Sequence, residues 1–154
     1  LGLFTLALIV GPLLMGVLDR AIGHRREVLA VTHSIAALLL AAVAAGAPHY
    51  PLADLLGTAA MPAKFDAVLF VLFGIAISTQ PLLYGMTRQL VDAQNAGKAL
   101  SAINLAFFLG TALMQSATGV VATVFGLPAV LLFMAATLIV GTVVFLAFTQ
   151  PSKS

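Results

Sequence analysis

Five uninterrupted apolar stretches, each about as long as a bilayer is thick, constrain this 154-residue chain more than any motif in it. A hydrocarbon core of ~30 Å takes about 20 helical residues at ~1.5 Å each. Runs of that kind occupy residues 1–18, 28–45, 67–87, 99–124 and 127–148, divided by charges or by proline and glycine. Their continuous apolarity predicts helices, because a strand of a membrane barrel would alternate apolar and polar positions over ~10 residues. The expected fold class is an all-α membrane protein with five transmembrane helices.

Composition agrees and removes other classes. The chain is 62% hydrophobic and 8% charged, with a mean hydropathy of +1.14, where a soluble chain carries about 25% charged residues. Seven basic and five acidic side chains cannot cover a water-soluble domain of this size without large exposed apolar patches. A soluble enzyme, a nucleic-acid binder and a disordered tail are excluded. The pI of about 9.4 rests on a net charge of +2 spread over the whole chain, so it reports topology and not a nucleic-acid partner. With no cysteine, disulfides and thiolate metal sites fall away; no metal and no cofactor are expected.

The connections fix the orientation. Arg20, Arg25, Arg26, Arg88, Lys98 and Lys153 fall on one side of the spans and Lys64 alone on the other. Basic residues collect in cytoplasmic loops, which places residues 19–27, 88–98 and the polar tail 150–154 inside. The outer loop 46–66 carries Pro48, Pro51 and Pro62; Phe125 and Gly126 alone separate the last two spans, with Pro128 suited to a first helical turn. Leu1 lies inside an apolar run, with no initiator Met and no signal-peptide pattern, so the chain reads as a fragment.

The first inner connection, Gly16-Val17-Leu18-Asp19-Arg20-Ala21-Ile22-Gly23-His24-Arg25-Arg26, resembles the signature loop of the major facilitator superfamily, Gly-x-x-x-Asp-Arg-x-Gly-Arg-Arg. Gly16 precedes Asp19 by three residues where the family pattern has four, and Gly23 follows by four where it has three. That looseness is similar to the degenerate copy between helices eight and nine of such transporters. Ala96-Gly97-Lys98-Ala99-Leu100-Ser101-Ala102-Ile103-Asn104, continuing through Gln115 to Gly119, resembles the entry into helix eleven. The resemblance implies helices 8 to 12 of a twelve-helix transporter, hence a partial C-terminal bundle over residues 1–154. Its partners would be the lipid bilayer, the missing N-terminal half and a small solute, with proton coupling open. The implied place is a bacterial inner membrane, with the C-terminus in the cytoplasm.

Polar groups inside spans are costly in hydrocarbon, so those present are candidates for function. In span four Ser101, Asn104, Phe108, Thr111, Gln115 and Thr118 recur every three or four residues and share one face. They either line a solute path or bond a neighbouring helix. Beside them Ala102, Ala106 and Gly110 form a small-residue strip suited to close helix approach. In span three Pro81 predicts a kink, and Gln80, Tyr84 and Arg88 share a face. The resemblance to helix ten implies that Gln80 and Tyr84 face the pathway, with Tyr84 in the interfacial aromatic belt the competing reading, and Arg88 reads as a topology anchor. His33 reads as a hydrogen-bonded side chain of a peripheral helix, with a proton relay the competing reading. Gly16, Asp19, Arg20, Gly23, Arg25 and Arg26 either switch conformation, as the resemblance implies, or only fix topology. Span five, with Thr137 and Thr142 its only polar residues, reads as a lipid-facing wall.

The expected function is secondary active transport of a small solute by alternating access. The alternative is a five-helix membrane scaffold or assembly protein. No Ser–His or paired-aspartate arrangement lies within the spans, so no enzyme is expected.

Overall fold

The computed structural model describes residues 2–149; Leu1 and the polar tail, Lys153 included, lie outside them. Helices form because backbone N–H and C=O groups in hydrocarbon must pair within their own segment. The described chain runs α1 (Gly2–Ile22), α2 (Arg25–Ala45), the short α3 (Pro51–Leu55), α4 (Ala63–Ile77), α5 (Gln80–Leu90), a 3-10 turn at Ala93–Asn95, α6 (Ala96–Phe125) and α7 (Leu127–Phe148). Five candidate spans result, with α4 and α5 together making the third. Helices α1 and α2 overrun the apolar runs where they meet, so the first connection shrinks to Gly23 and His24. Gly23 takes a left-handed φ of 69° and its N–H returns 2.9 Å to Asp19 O, the turn that lets a helix stop with its carbonyls paired.

The third span is broken rather than kinked, and the break comes before Pro81. Helix α4 ends at Ile77, and Pro81 sits in the first turn of α5, where a missing N–H does no harm. Ser78 and Thr79 make the joint: Ser78 Oγ donates to Gly74 O at 2.6 Å, and Thr79 N–H reaches Ile77 O at 2.8 Å. Both residues are buried. Helix α1 crosses directly over the joint. A methyl built on Gly11 would fall 2.6 Å from Ser78 Cβ, and one on Gly74 would fall 3.1 Å from Ala7 Cβ; small residues thus permit the close crossing. Phe4 closes its outer end against Phe73, with ring centroids 6.4 Å apart.

Two apolar clusters hold the bundle. Ala37, Leu40, Val43 and Ala44 of α2 pack on Leu131 and Ala135 of α7, flanked by Leu69 and Phe73 of α4. Nearer the α1–α2 connection, Met15, Val28, Leu29 and Leu82 join α1, α2 and α5, with Phe145 of α7 against them. Helix α2, expected at the periphery, is the best-buried span of the five. Span five also departs from its reading as a lipid wall: Val130, Leu131, Ala135 and Thr142 are buried. By contrast α6, the longest helix at 30 residues, has no buried residue and rests on α5 and α7. At ~1.5 Å per residue it is a rod of about 45 Å.

Candidate solute path and its inner gate

The break at Ser78–Thr79 starts α5 on a new axis, and Gln80, Tyr84 and Arg88 follow one another along it. Gln80 Nε2 donates to Tyr84 Oη at 2.9 Å, and Tyr84 Oη donates to Asn104 Oδ1 of α6. Helices α5 and α6 are thereby joined through three polar side chains. The ring of Phe107 meets Tyr84 edge-on at 6.3 Å and 81°, a favourable aromatic geometry. Gln80 Oε1 and the Asn104 amide N–H groups make no hydrogen bond among the described residues, so the relay still offers an acceptor and donors to a solute. Arg88 is exposed at the end of α5.

Beyond the relay, α4, α6 and α7 border an open cleft of about 530 Å³. Thr111, Gln115 and Thr118 face it from α6, Phe73 and Ile77 from α4, and Thr137 from α7. Thr111 Oγ1 donates to Phe107 O at 2.8 Å and Thr118 Oγ1 to Met114 O at 2.7 Å. Their hydroxyl protons are thus committed to the helix itself. Gln115 has no such commitment and is the one amide on that wall. Gly110 is the midpoint of α6, and Asn104 and Gln115 lie about 9 Å and 7.5 Å either side of it along the axis.

Two expectations on α6 change. Phe108 does not line the cavity; it is 76% exposed, and Phe107 takes its place. Residues three and four beyond Asn104 both lie near its face, and α5 and α7 meet the Phe107 side, about 100° away from Phe108. The strip of Ala106 and Gly110 borders the cavity instead of a helix, with nothing within 4 Å of a methyl placed on Gly110. Ser101 is exposed, its hydroxyl bonded to Gly97 O at 2.9 Å.

At the end of the bundle that holds the α1–α2 connection, the charged loop ties helices together. Arg25 clasps Asp19 with two parallel bonds, Nε–Oδ1 at 2.6 Å and Nη2–Oδ2 at 2.8 Å, the geometry that makes arginine–carboxylate pairs strong. Its guanidinium lies on α5 at Gly85, where an added methyl would come within 3.1 Å of Nη1. Arg26 turns the other way. It donates to Thr149 O and Thr149 Oγ1 at 3.1 Å each and to Leu146 O at 2.9 Å, satisfying carbonyls that a helix end leaves open. Arg20 Nε reaches back to Gly16 O at 3.3 Å, and Gly16 itself has open space where a methyl would stand. Neither Gly85 nor the α7 carbonyls carried a sequence signal, since an arginine can cap a helix over a hundred positions away.

His33 donates from Nδ1 to Leu29 O at 2.7 Å and is half-buried beside a separate pocket between α2, α5 and α7.

In comparisons with known proteins, no curated protein and no solved structure matches the chain. A family model described as Major Facilitator Superfamily matches residues 1–154. With five membrane-length helices, a broken third span and polar groups gathered along α5 and α6, this integral, multi-pass membrane chain belongs to the Major Facilitator Superfamily, whose members carry small solutes across membranes.

Proposed function

We propose that this chain forms one wall of a secondary active transporter working by alternating access, corresponding to helices 8 to 12 of a twelve-helix assembly. The N-terminal half would supply the facing wall. The observation that carries this reading is the Gln80–Tyr84–Asn104 relay, set beside a cavity that Thr111 and Gln115 also face. Helix α6 has no buried residue yet bears the densest polar stripe, an arrangement suited to a water-filled path closed by another bundle.

In this reading the amides and hydroxyls of α5 and α6 take an uncharged or zwitterionic solute. Ser78–Thr79 serves as the joint on which α5 tilts. The Asp19–Arg25 clasp, seated on Gly85, holds α5 against α1 and α2 in one state of the cycle. Among the described residues no Asp or Glu lines the cavity, and in this reading a coupling carboxylate would come from the facing half. In this reading the membrane is a bacterial inner membrane and the C-terminus, on the side richer in basic residues, faces the cytoplasm.

The chain has no cysteine, so single cysteines can be introduced without background from it. In membrane vesicles, Asn104→Cys, Thr111→Cys and Gln115→Cys should react with a membrane-impermeant thiol reagent, and Phe108→Cys should not. Labelling confined to Phe108→Cys would return α6 to a purely packing role. Asn104→Ala or Gln115→Ala should lower solute uptake about tenfold with normal membrane expression, whereas unchanged uptake in both would return the amides of α6 to bonding a neighbouring helix.

A further inference from the structure

A cavity of about 240 Å³ opens between α2, α5 and α7, and the solute path makes no use of it. Leu29, Leu83, Leu138 and Phe145 give it apolar walls, and its polar side chains are His33, Thr137 and Thr142. Among the described residues, no Asp, Glu, Lys or Arg lines it.

The hydrogen-bonding capacity of this pocket is one-sided. Nδ1 of His33 lies 2.7 Å from Leu29 O. A carbonyl oxygen only accepts, so Nδ1 holds the proton, and in the neutral ring the distal Nε2 is left as an acceptor. Thr137 Oγ1 donates to Phe133 O at 2.8 Å and Thr142 Oγ1 to Leu138 O at 2.7 Å. Each hydroxyl therefore offers the pocket lone pairs alone. Three acceptors and no side-chain donor stand in an otherwise hydrocarbon wall, and a charged guest would lose its hydration with no counter-ion in return.

We propose that this pocket binds a small, uncharged, mainly apolar molecule carrying one hydroxyl donor. The hydroxyl is held by His33 Nε2, with the threonine oxygens beside it. Size agrees: an apolar cavity of ~150 Å³ holds benzene, so about 240 Å³ takes one ring with a substituent. Such a molecule enters from the lipid, where it is concentrated by partition. Thr137 and Leu138 line both cavities, but the inference turns on His33 of α2, which the transport reading does not use.

The test compares three rings of nearly equal size: 4-fluorophenol, 4-fluoroanisole and 4-fluorotoluene. Binding to the full-length protein in lipid nanodiscs is read by fluorine NMR, with protein-free nanodiscs subtracted. The phenol should bind saturably and about fivefold to tenfold tighter than the other two, the factor that one neutral hydrogen bond supplies. His33→Phe should erase that preference, and His33→Gln, whose amide oxygen restores an acceptor, should keep it. Equal affinities for all three probes in the unaltered protein would overturn the proposal whether or not the variants fold. So would anisole binding as tightly as phenol, or a preference that survives His33→Phe.

Discussion

Arg25 rests on Gly85: the guanidinium that clasps Asp19 lies where any side chain at position 85 would stand, 3.1 Å from a methyl placed there. The clasp and α5 therefore share one contact. Gly85→Val should push Arg25 away and reproduce part of the effect of Asp19→Asn. The two partners keep 25% and 18% of their side-chain surface exposed, so the pair contributes only about 1 kcal/mol. Heating a fluorescent-protein fusion and following the surviving fraction by size exclusion reads this. The double variant should lose less stability than the sum of the two single ones, and strict additivity would separate Gly85 from the clasp.

Arg26 caps α7 at Leu146 and Thr149. Arg26→Ala should leave those carbonyls open and fray the last turn, with amide exchange near 145–149 about tenfold faster and α2 unaffected. Lysine lacks the planar fork that reaches two acceptors, so Arg26→Lys should fall between. Exchange as slow as in the unaltered protein would show that lipid or water replaces the cap.

Tyr84→Phe removes one oxygen and keeps the ring against Phe107. It should uncouple Gln80 from Asn104 and raise the KM for uptake about tenfold, as loss of a hydrogen bond at a binding surface does. Phe107→Ala should impair uptake as well, and Phe108→Ala should leave it near normal. Equal losses for the two phenylalanines would put the path on a different face of α6.

Gly11→Ala meets Ser78 where no space exists and should cost about 1–3 kcal/mol by overpacking. Ser78→Gly in the same chain should recover most of that loss. Thermal survival of the pair against the single variant checks it, and a harmless Gly11→Ala would mean that α1 slides freely over the joint.

The helices themselves were legible because hydrocarbon imposes length and apolarity on any span. Which neighbour each helix faces was not. Lipid tails are as apolar as leucine, so the uniform Leu, Val and Phe of α7 read as a lipid wall although it packs on α2. The proline in span three announced a bend, but the break settled at Ser78–Thr79 because Pro81 fits the first turn of the following helix. Gln80, Tyr84 and Asn104 stood out singly as polar groups in apolar runs. Their joining depends on how α5 and α6 are set against each other, which a period of 3.6 residues cannot convey, and the same ambiguity confused Phe107 with Phe108. The partners of Arg26 lie 120 and 123 positions away, beyond any local pattern.

The length of α6 has a consequence of its own. A rod of about 45 Å exceeds a hydrocarbon layer of about 30 Å, so it must lean or let its ends enter the headgroup layers. Helix α6 is also the span with no buried residue, which makes it the one least able to resist. A change in bilayer thickness is thus expected to change the lean of α6, and the Tyr84–Asn104 bond is the polar tie that such a lean would load.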